Sequence, residues 1–128
     1  FENFHIGVIN MHPGILPENR GLDTIKWAII KDLPQGASLH LIDKNIDRGL
    51  LIIKSEIEIY GDDTLIDLQI RVQNLEQKLL LDSLKMIDEK QISDFTPLGV
   101  GNYNSAVPEE IESSLMEKLL EYVNKHSS

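Results

Sequence analysis

Hydrophobic and polar positions along this chain follow two periods, and the switch between them marks out strands and helices. Ile6-Gly7-Val8-Ile9 is short, apolar and β-branched, which reads as a buried strand, and Pro13 opens a turn three residues after Asn10. Asn10 and His12 are therefore expected at the carboxyl end of a strand in a parallel α/β sheet, the edge where such sheets bind ligands. Asp23-Thr24 reads as the cap of a helix running to about Asp32, with Ile25, Ala28 and Ile29 on one face and Trp27 at its margin. Leu33-Pro34-Gln35-Gly36 stops that helix. Ala37 to Ile42 follows as a strand in which Ser38, His40 and Ile42 share a face, and Asp43 to Gly49 forms a tight polar loop. Leu50 to Ile59 resumes as a strand, apolar and then alternating, the pattern of a strand leaving the core for the edge of the sheet.

Helical spacing takes over at Thr64, where Asp67 three residues on makes a variant of the capping box. Leu65, Leu68, Val72, Leu75, Leu79 and Met86 recur at steps of three and four, and Leu80, Leu84 and Ile87 are expected to widen that stripe into a packing face. Gln91 to Ser105 reads as a loop rich in Gly and Asn. Pro108 then opens a last helix on Ile111, Leu115, Leu119 and Val123, and Lys125 to Ser128 is expected to fray, with His126 idle. The predicted organisation is one unit over residues 1–90, part of a larger domain, and a loop-and-helix extension over 91–128. There is no internal repeat and no low-complexity tract.

Composition narrows the function. A net charge of −9 over 128 residues argues against a nucleic-acid or anionic-membrane surface, which would recruit clustered Lys and Arg, although tRNA is not excluded. The absence of cysteine removes disulfides, thiol catalysis and thiolate metal sites. No apolar run reaches the ~20 residues that span a bilayer and no stretch is built like a signal peptide, so the cytoplasm is the expected compartment and no membrane partner is expected. The chain opens on Phe1, almost directly into its presumed site strand. Residues preceding Phe1, and with them part of a sheet, are expected to be missing.

The candidate chemistry gathers at strand ends. Asn10 offers two amide donors and no titratable group, suiting an oxyanion, or it caps the turn before Pro13. His12 points to the same side if the backbone stays extended, so that both donors can meet one developing charge; alone it would be a turn histidine. Asp47 is a loop residue or the carboxylate that orients His12 and favours its protonated form. His40 fits a satisfied core histidine better than a ligand. Arg20-Gly21 either binds a carboxylate or phosphate or braces the loop, and Gly14, Gly36 and Gly49 most simply allow turns.

Together these residues resemble a known family. Asn10-x-His12-Pro13-Gly14-x-Leu16-Pro17-x-x-Arg20-Gly21, Trp27-Ala28-Ile29, and Gly36-x-Ser38-x-His40-x-x-Asp43-x-x-Ile46-Asp47-x-Gly49 are similar to the catalytic half of the folate-dependent formyltransferases. That family acts on glycinamide ribonucleotide, methionyl-tRNA and amino sugar nucleotides. The resemblance is strong from Ile6 to about Ile59, weaker through the long helix and slight beyond Gln91. Gly14 stands where the purine branch more often has Ser, which resembles the sugar branch. Arg48 replaces the small residue usual between Asp and Gly.

The resemblance implies a Rossmann-like three-layer α/β/α fold of which the chain carries the C-terminal half. It implies transfer of a formyl group from 10-formyltetrahydrofolate to a primary amine of a small acceptor, an amino sugar nucleotide foremost and glycinamide ribonucleotide or methionyl-tRNA as the alternative, through a tetrahedral intermediate and without a metal. Asn10 and His12 would be the donors to the formyl oxygen, and Asp47 would pair with His12 and help move protons. The loop Leu41, Ile42, Asp43, Lys44, Asn45, Ile46 and Asp47 would lie against the pterin, largely through backbone groups. Arg20 and Gly14 become the acceptor contacts, and a homodimer is allowed for. The alternative of another class is a metal hydrolase with His12, His40 and Asp47 as two imidazoles and a carboxylate around zinc or iron, in which Asn10 has no role.

Overall fold

Alternation along two strands decides the architecture. The computed structural model describes residues 8–16, 19–42, 50–89, 96–97 and 103–127. In β3 (Gly36–Ile42), Ala37, Leu39 and Leu41 are fully buried on one face, while Ser38 and His40 turn to the other. β1 (Val8–His12) pairs with it so that Ile9 and Met11 stand opposite Leu41 and Leu39, and Asn10 and His12 stand opposite His40 and Ser38. Directly opposed residues share a face, so the pair builds one apolar side and one polar side.

The apolar side is closed by α2 (Leu65–Glu89), whose Val72, Leu75 and Leu79 pack with Ala37, Met11 and Ile53. The predicted capping box is present: Thr64 N–H donates to Asp67 Oδ2 (2.9 Å) and Asp67 N–H to Thr64 Oγ1 (3.2 Å). The stripe is narrower than expected. Leu80 and Leu84 are 43% and 54% exposed, because they lie on the flank turned away from the sheet, and the side chains of Met86 and Ile87 lie outside the described residues.

β4 (Leu50–Glu56) pairs with β3, and β5 (Thr96–Pro97) with β4, giving the order β1-β3-β4-β5 with every pairing antiparallel. Parallel neighbours were the expectation for β1. The difference comes from α1 (Thr24–Lys31), which packs on α2 and on α4 (Leu115–His126) instead of crossing the sheet, so the chain re-enters the sheet at the same end at which β1 leaves it. β4 carries a bulge: Leu39 faces Ile53 and His40 faces Leu51, leaving Ile52 as the extra residue. Its ladder ends at Glu56 rather than Ile59, although Ile57 N–H still reaches Gln35 O (2.9 Å).

Several local expectations are corrected. Asp23 precedes α1 in a left-handed conformation (φ 52°) without a side-chain cap, because its carboxylate instead accepts Val107 N–H (2.9 Å). The segment read as an unbroken loop contains β5 and also β6 (Tyr103–Asn104), which pairs in parallel with β2 (Arg20–Gly21). The last helix is two: a single turn, α3 (Glu109–Glu112), and then α4. Leu115, Leu119, Tyr122 and Val123 of α4 join Ile29, Ile59 and Leu68 in a buried cluster. His126 is neither frayed nor idle. It sits 2.6 Å from Asp32 Oδ1 and its ring lies against Tyr122.

Candidate active site

The polar side of β1 and β3 ends in a turn that is tied down at nearly every residue. Gly14 N–H donates to His12 O (3.0 Å), reversing the chain directly after β1. Ser38, fully buried on β3, donates its hydroxyl to Gly14 O (2.6 Å) and accepts Leu16 N–H (2.9 Å). The Thr24 hydroxyl donates to Pro13 O. Asn19, 1% exposed, donates from Nδ2 to Thr24 O (2.8 Å) and accepts from Asn104 Nδ2 (3.3 Å), while Lys31 Nζ donates to Asn104 Oδ1 (2.7 Å).

Two glycines are fixed by close approach here rather than by turn geometry, correcting the simpler expectation. A Cβ on Gly14 would lie 2.6 Å from Asn19 O, and one on Gly36 would lie 2.1 Å from Ser55 O and 2.5 Å from Ile15 Cδ1. Neither has the positive φ that reserves a site for glycine.

On this frame Asn10 is exposed and His12 half-buried on one face of β1. The His12 ring stacks on that of His40, with centroids 4.6 Å apart and planes 24° apart. His40 is 5% exposed and so forms the floor beneath His12. Two stacked imidazoles direct their in-plane lone pairs nearly side by side, whereas ligands of one ion must converge on it. Among the described residues no group of three His, Asp or Glu is placed to hold a metal.

Asp43, Lys44, Asn45, Ile46 and Asp47 lie outside the described residues. Of the same expected loop, Leu41 has its side chain in the core facing α2, and Ile42 ends β3 opposite Val8. Arg20 lies in β2, paired with Tyr103, and its side chain is not described.

Sequence reasoning missed the cleft beside this turn. It begins one residue beyond His12 and runs between α1 and α2, about 290 Å³ in volume, with Pro13, Thr24, Lys26, Gln69, Gln73 and Glu76 among its walls. Burial pushes the Glu76 carboxyl above its ordinary pKa. The signal was available in the sequence: Gln69, Gln73 and Glu76 recur at helical spacing beside the apolar stripe. A larger cleft of about 460 Å³ is lined by Ile15, Asn19, Pro34 and Lys54, and among the described residues none of the predicted site residues lines it.

A family profile described as Formyl transferase matches residues 1–84. The chain belongs to the formyl transferase family. It is 35% identical over 89 residues to a methionyl-tRNA formyltransferase of Flavobacterium johnsoniae, covering 69% of this chain and 28% of that one. It is 30% identical over 96 residues to the dTDP-4-amino-4,6-dideoxyglucose formyltransferase of Mycobacterium tuberculosis, covering 75% and 41%. Among solved structures, a 4-N formyltransferase from Francisella tularensis superposes with a TM-score of 0.61 at 37% identity, over 77% of this chain and 40% of that one. The formyltransferase PseJ from Anoxybacillus kamchatkensis, solved with UDP-4,6-dideoxy-4-formamido-L-AltNAc and tetrahydrofolate, gives 0.65 at 29% identity, over 84% and 56%. The α/β fold expected from the sequence is thus the fold of this family. The chain spans 28% and 41% of the length of the two curated relatives.

Proposed function

We propose that the protein carrying this chain transfers the formyl group of 10-formyltetrahydrofolate to the primary amine of an amino sugar nucleotide. The observation that carries the reading is the pair Asn10 and His12, two hydrogen-bond donors that share one face of β1, the polar side turned away from α2. The neighbour solved with tetrahydrofolate and a formamido sugar supports the chemistry. The methionyl-tRNA relative supports a second acceptor class, against which the net charge of −9 weighs.

In this reading 10-formyltetrahydrofolate supplies the formyl carbon and the acceptor amine attacks it. Asn10 and protonated His12 donate to the formyl oxygen as negative charge develops there, with His40 holding the His12 ring in place by stacking. The amine must lose a proton and the departing folate nitrogen must gain one. His12 with Asp47 relays it. Gln69, Gln73 and Glu76 line the cleft between α1 and α2, on the side of the sheet away from Asn10 and His12, and take no part in this step.

Asn10→Ala and His12→Ala should each lower turnover by ~10² or more with little change in folate affinity, because their bonds strengthen only as charge builds on the oxygen. Asp47→Asn should do nearly the same, since an amide holds His12 without favouring its charged form. Assays against a panel of amino sugar nucleotides and aminoacylated tRNA decide the acceptor, and near-parental turnover by Asn10→Ala would refute the mechanism.

A further inference from the structure

A serine at the centre of a strand, fully removed from water, is destabilising unless its hydroxyl both donates and accepts. Ser38 does both, and both partners belong to one turn of another segment: Gly14 O accepts from it at 2.6 Å and Leu16 N–H donates to it at 2.9 Å. The hydroxyl thereby serves as one more rung of the sheet at the point where the β1 to β3 ladder ends, since Ser38 is the register partner of His12. The turn so held leaves β1 at His12 itself, through the Gly14 N–H to His12 O bond. On β3, Ser38 is two residues from His40, whose ring stacks on that of His12. The imidazole is consequently referenced to β3 twice, through the ring of His40 beneath it and through the Ser38 hydroxyl that fixes the backbone leaving it.

The geometry points to Ser38 as a positioning residue for formyl transfer: its hydroxyl staples the turn 13–16 to β3 and so sets the direction of the His12 ring relative to Asn10. Ser38 is fully buried and touches no substrate, so it acts only through that turn. The neighbouring carbonyl, Pro13 O, is held in the same way by the Thr24 hydroxyl, which leaves the turn little freedom once both hydroxyls are in place. Removal of the Ser38 hydroxyl strands a buried N–H and a buried carbonyl. The turn then relaxes to recover them from each other or from water, and His12 moves with it. A displacement on the order of 1 Å at a reacting group is enough to cost about 10²-fold in rate.

The inference rests on the reading of His12 as the oxyanion donor, and two independent measurements separate the two claims. In the whole protein, well below its unfolding temperature, Ser38→Ala should lower kcat by about 10- to 100-fold while KM for the folate donor stays within about 3-fold, and Ser38→Thr, which keeps the hydroxyl, should restore most of kcat. The imidazole nitrogen resonances of His12, assigned by their loss in His12→Ala, should shift in Ser38→Ala and return in Ser38→Thr whether or not any activity is measured. A purely structural serine would give a lower Tm with unchanged kcat per folded molecule and an unmoved His12 signal, and that result overturns the proposal. If the parental protein formylates no amine, the functional reading fails, and the resonance shift still decides the staple. Should Ser38→Ala fail to fold, Ser38→Cys, similar in size but a weak donor, is judged by the same criteria.

Discussion

Two corners of this chain are both tied by polar side chains, and they are tied in opposite ways. The turn after β1 is held mainly by neutral groups out of water, with Lys31 reaching Asn104 from the surface: Ser38 is fully buried, Asn19 is 1% exposed and Asn104 5% exposed. The corner where α1 meets α4 is held by charges at the surface, with Lys125 and His126 both reaching Asp32, itself 46% exposed. Beneath those charges the corner rests on apolar burial of Ile29, Leu119 and Val123, and on the Tyr122 hydroxyl donating to Leu33 O. The contrast follows from what each bond replaces. A buried amide or hydroxyl that loses its partner has no water to turn to, whereas an exposed carboxylate that loses a lysine is rehydrated at once. The site turn is thus built to hold one geometry, and the distant corner only to stay closed.

The largest stability effect should come from Asn19→Ala, which removes the acceptor of the buried Asn104 Nδ2 and leaves a void. A loss of about 2 kcal/mol is expected in denaturant unfolding. A loss within the error of a surface substitution would show that the turn is not organised by Asn19. Asp32→Asn should have a far smaller effect, and one that shrinks further in high salt, because the pairs it removes are exposed. A salt-insensitive loss comparable to that of Asn19→Ala would reverse the comparison.

Smallest and most diagnostic is the pH dependence. Hydrogen bonds from Lys125 and then His126 hold the Asp32 carboxyl below its ordinary pKa. A folded-state pKa that is depressed contributes stability that is complete above the unfolded carboxylate value of about 4 and is lost as pH falls through the folded one. Unfolding curves of the parent and of Asp32→Asn should therefore converge on acidification below about pH 4. The Asn19→Ala difference, which involves no titrating group, should persist across the same range.

The elements were legible where a single period dominates. The Thr64 and Asp67 capping box and the buried stripe from Leu68 to Leu79 could be read directly, because each depends on residues a few positions apart on one helix. Asn10 and His12 were legible for the same reason, since alternation puts them on one face of any strand. What could not be read is what depends on a partner far along the chain. Asp23 looks like a helix cap until Val107 arrives to take its carboxylate. Gly14 and Gly36 look like turn residues until Asn19 and Ser55 close on them. Ser38 reads from the sequence only as a residue sharing a strand face with His40, and only the return of the turn at Gly14 and Leu16 shows why a hydroxyl is required there. Antiparallel pairing was missed because it turns on where α1 docks, which its own eight residues do not reveal.

The bulge in β4 sets which parts of this sheet can change length over evolution or under a designer's hand. β3 has no slack: deleting or inserting one residue between Gly36 and Leu41 would exchange its two sides, turning Ser38 and His40 toward α2 and a leucine toward Asn10. β4 already accommodates Ile52 as a surplus residue opposite Leu39 and His40, and that residue is buried rather than looped out. Indels that preserve the chemistry should therefore collect in β4 around Ile52, and the seven residues from Gly36 to Ile42 should vary in identity but not in number.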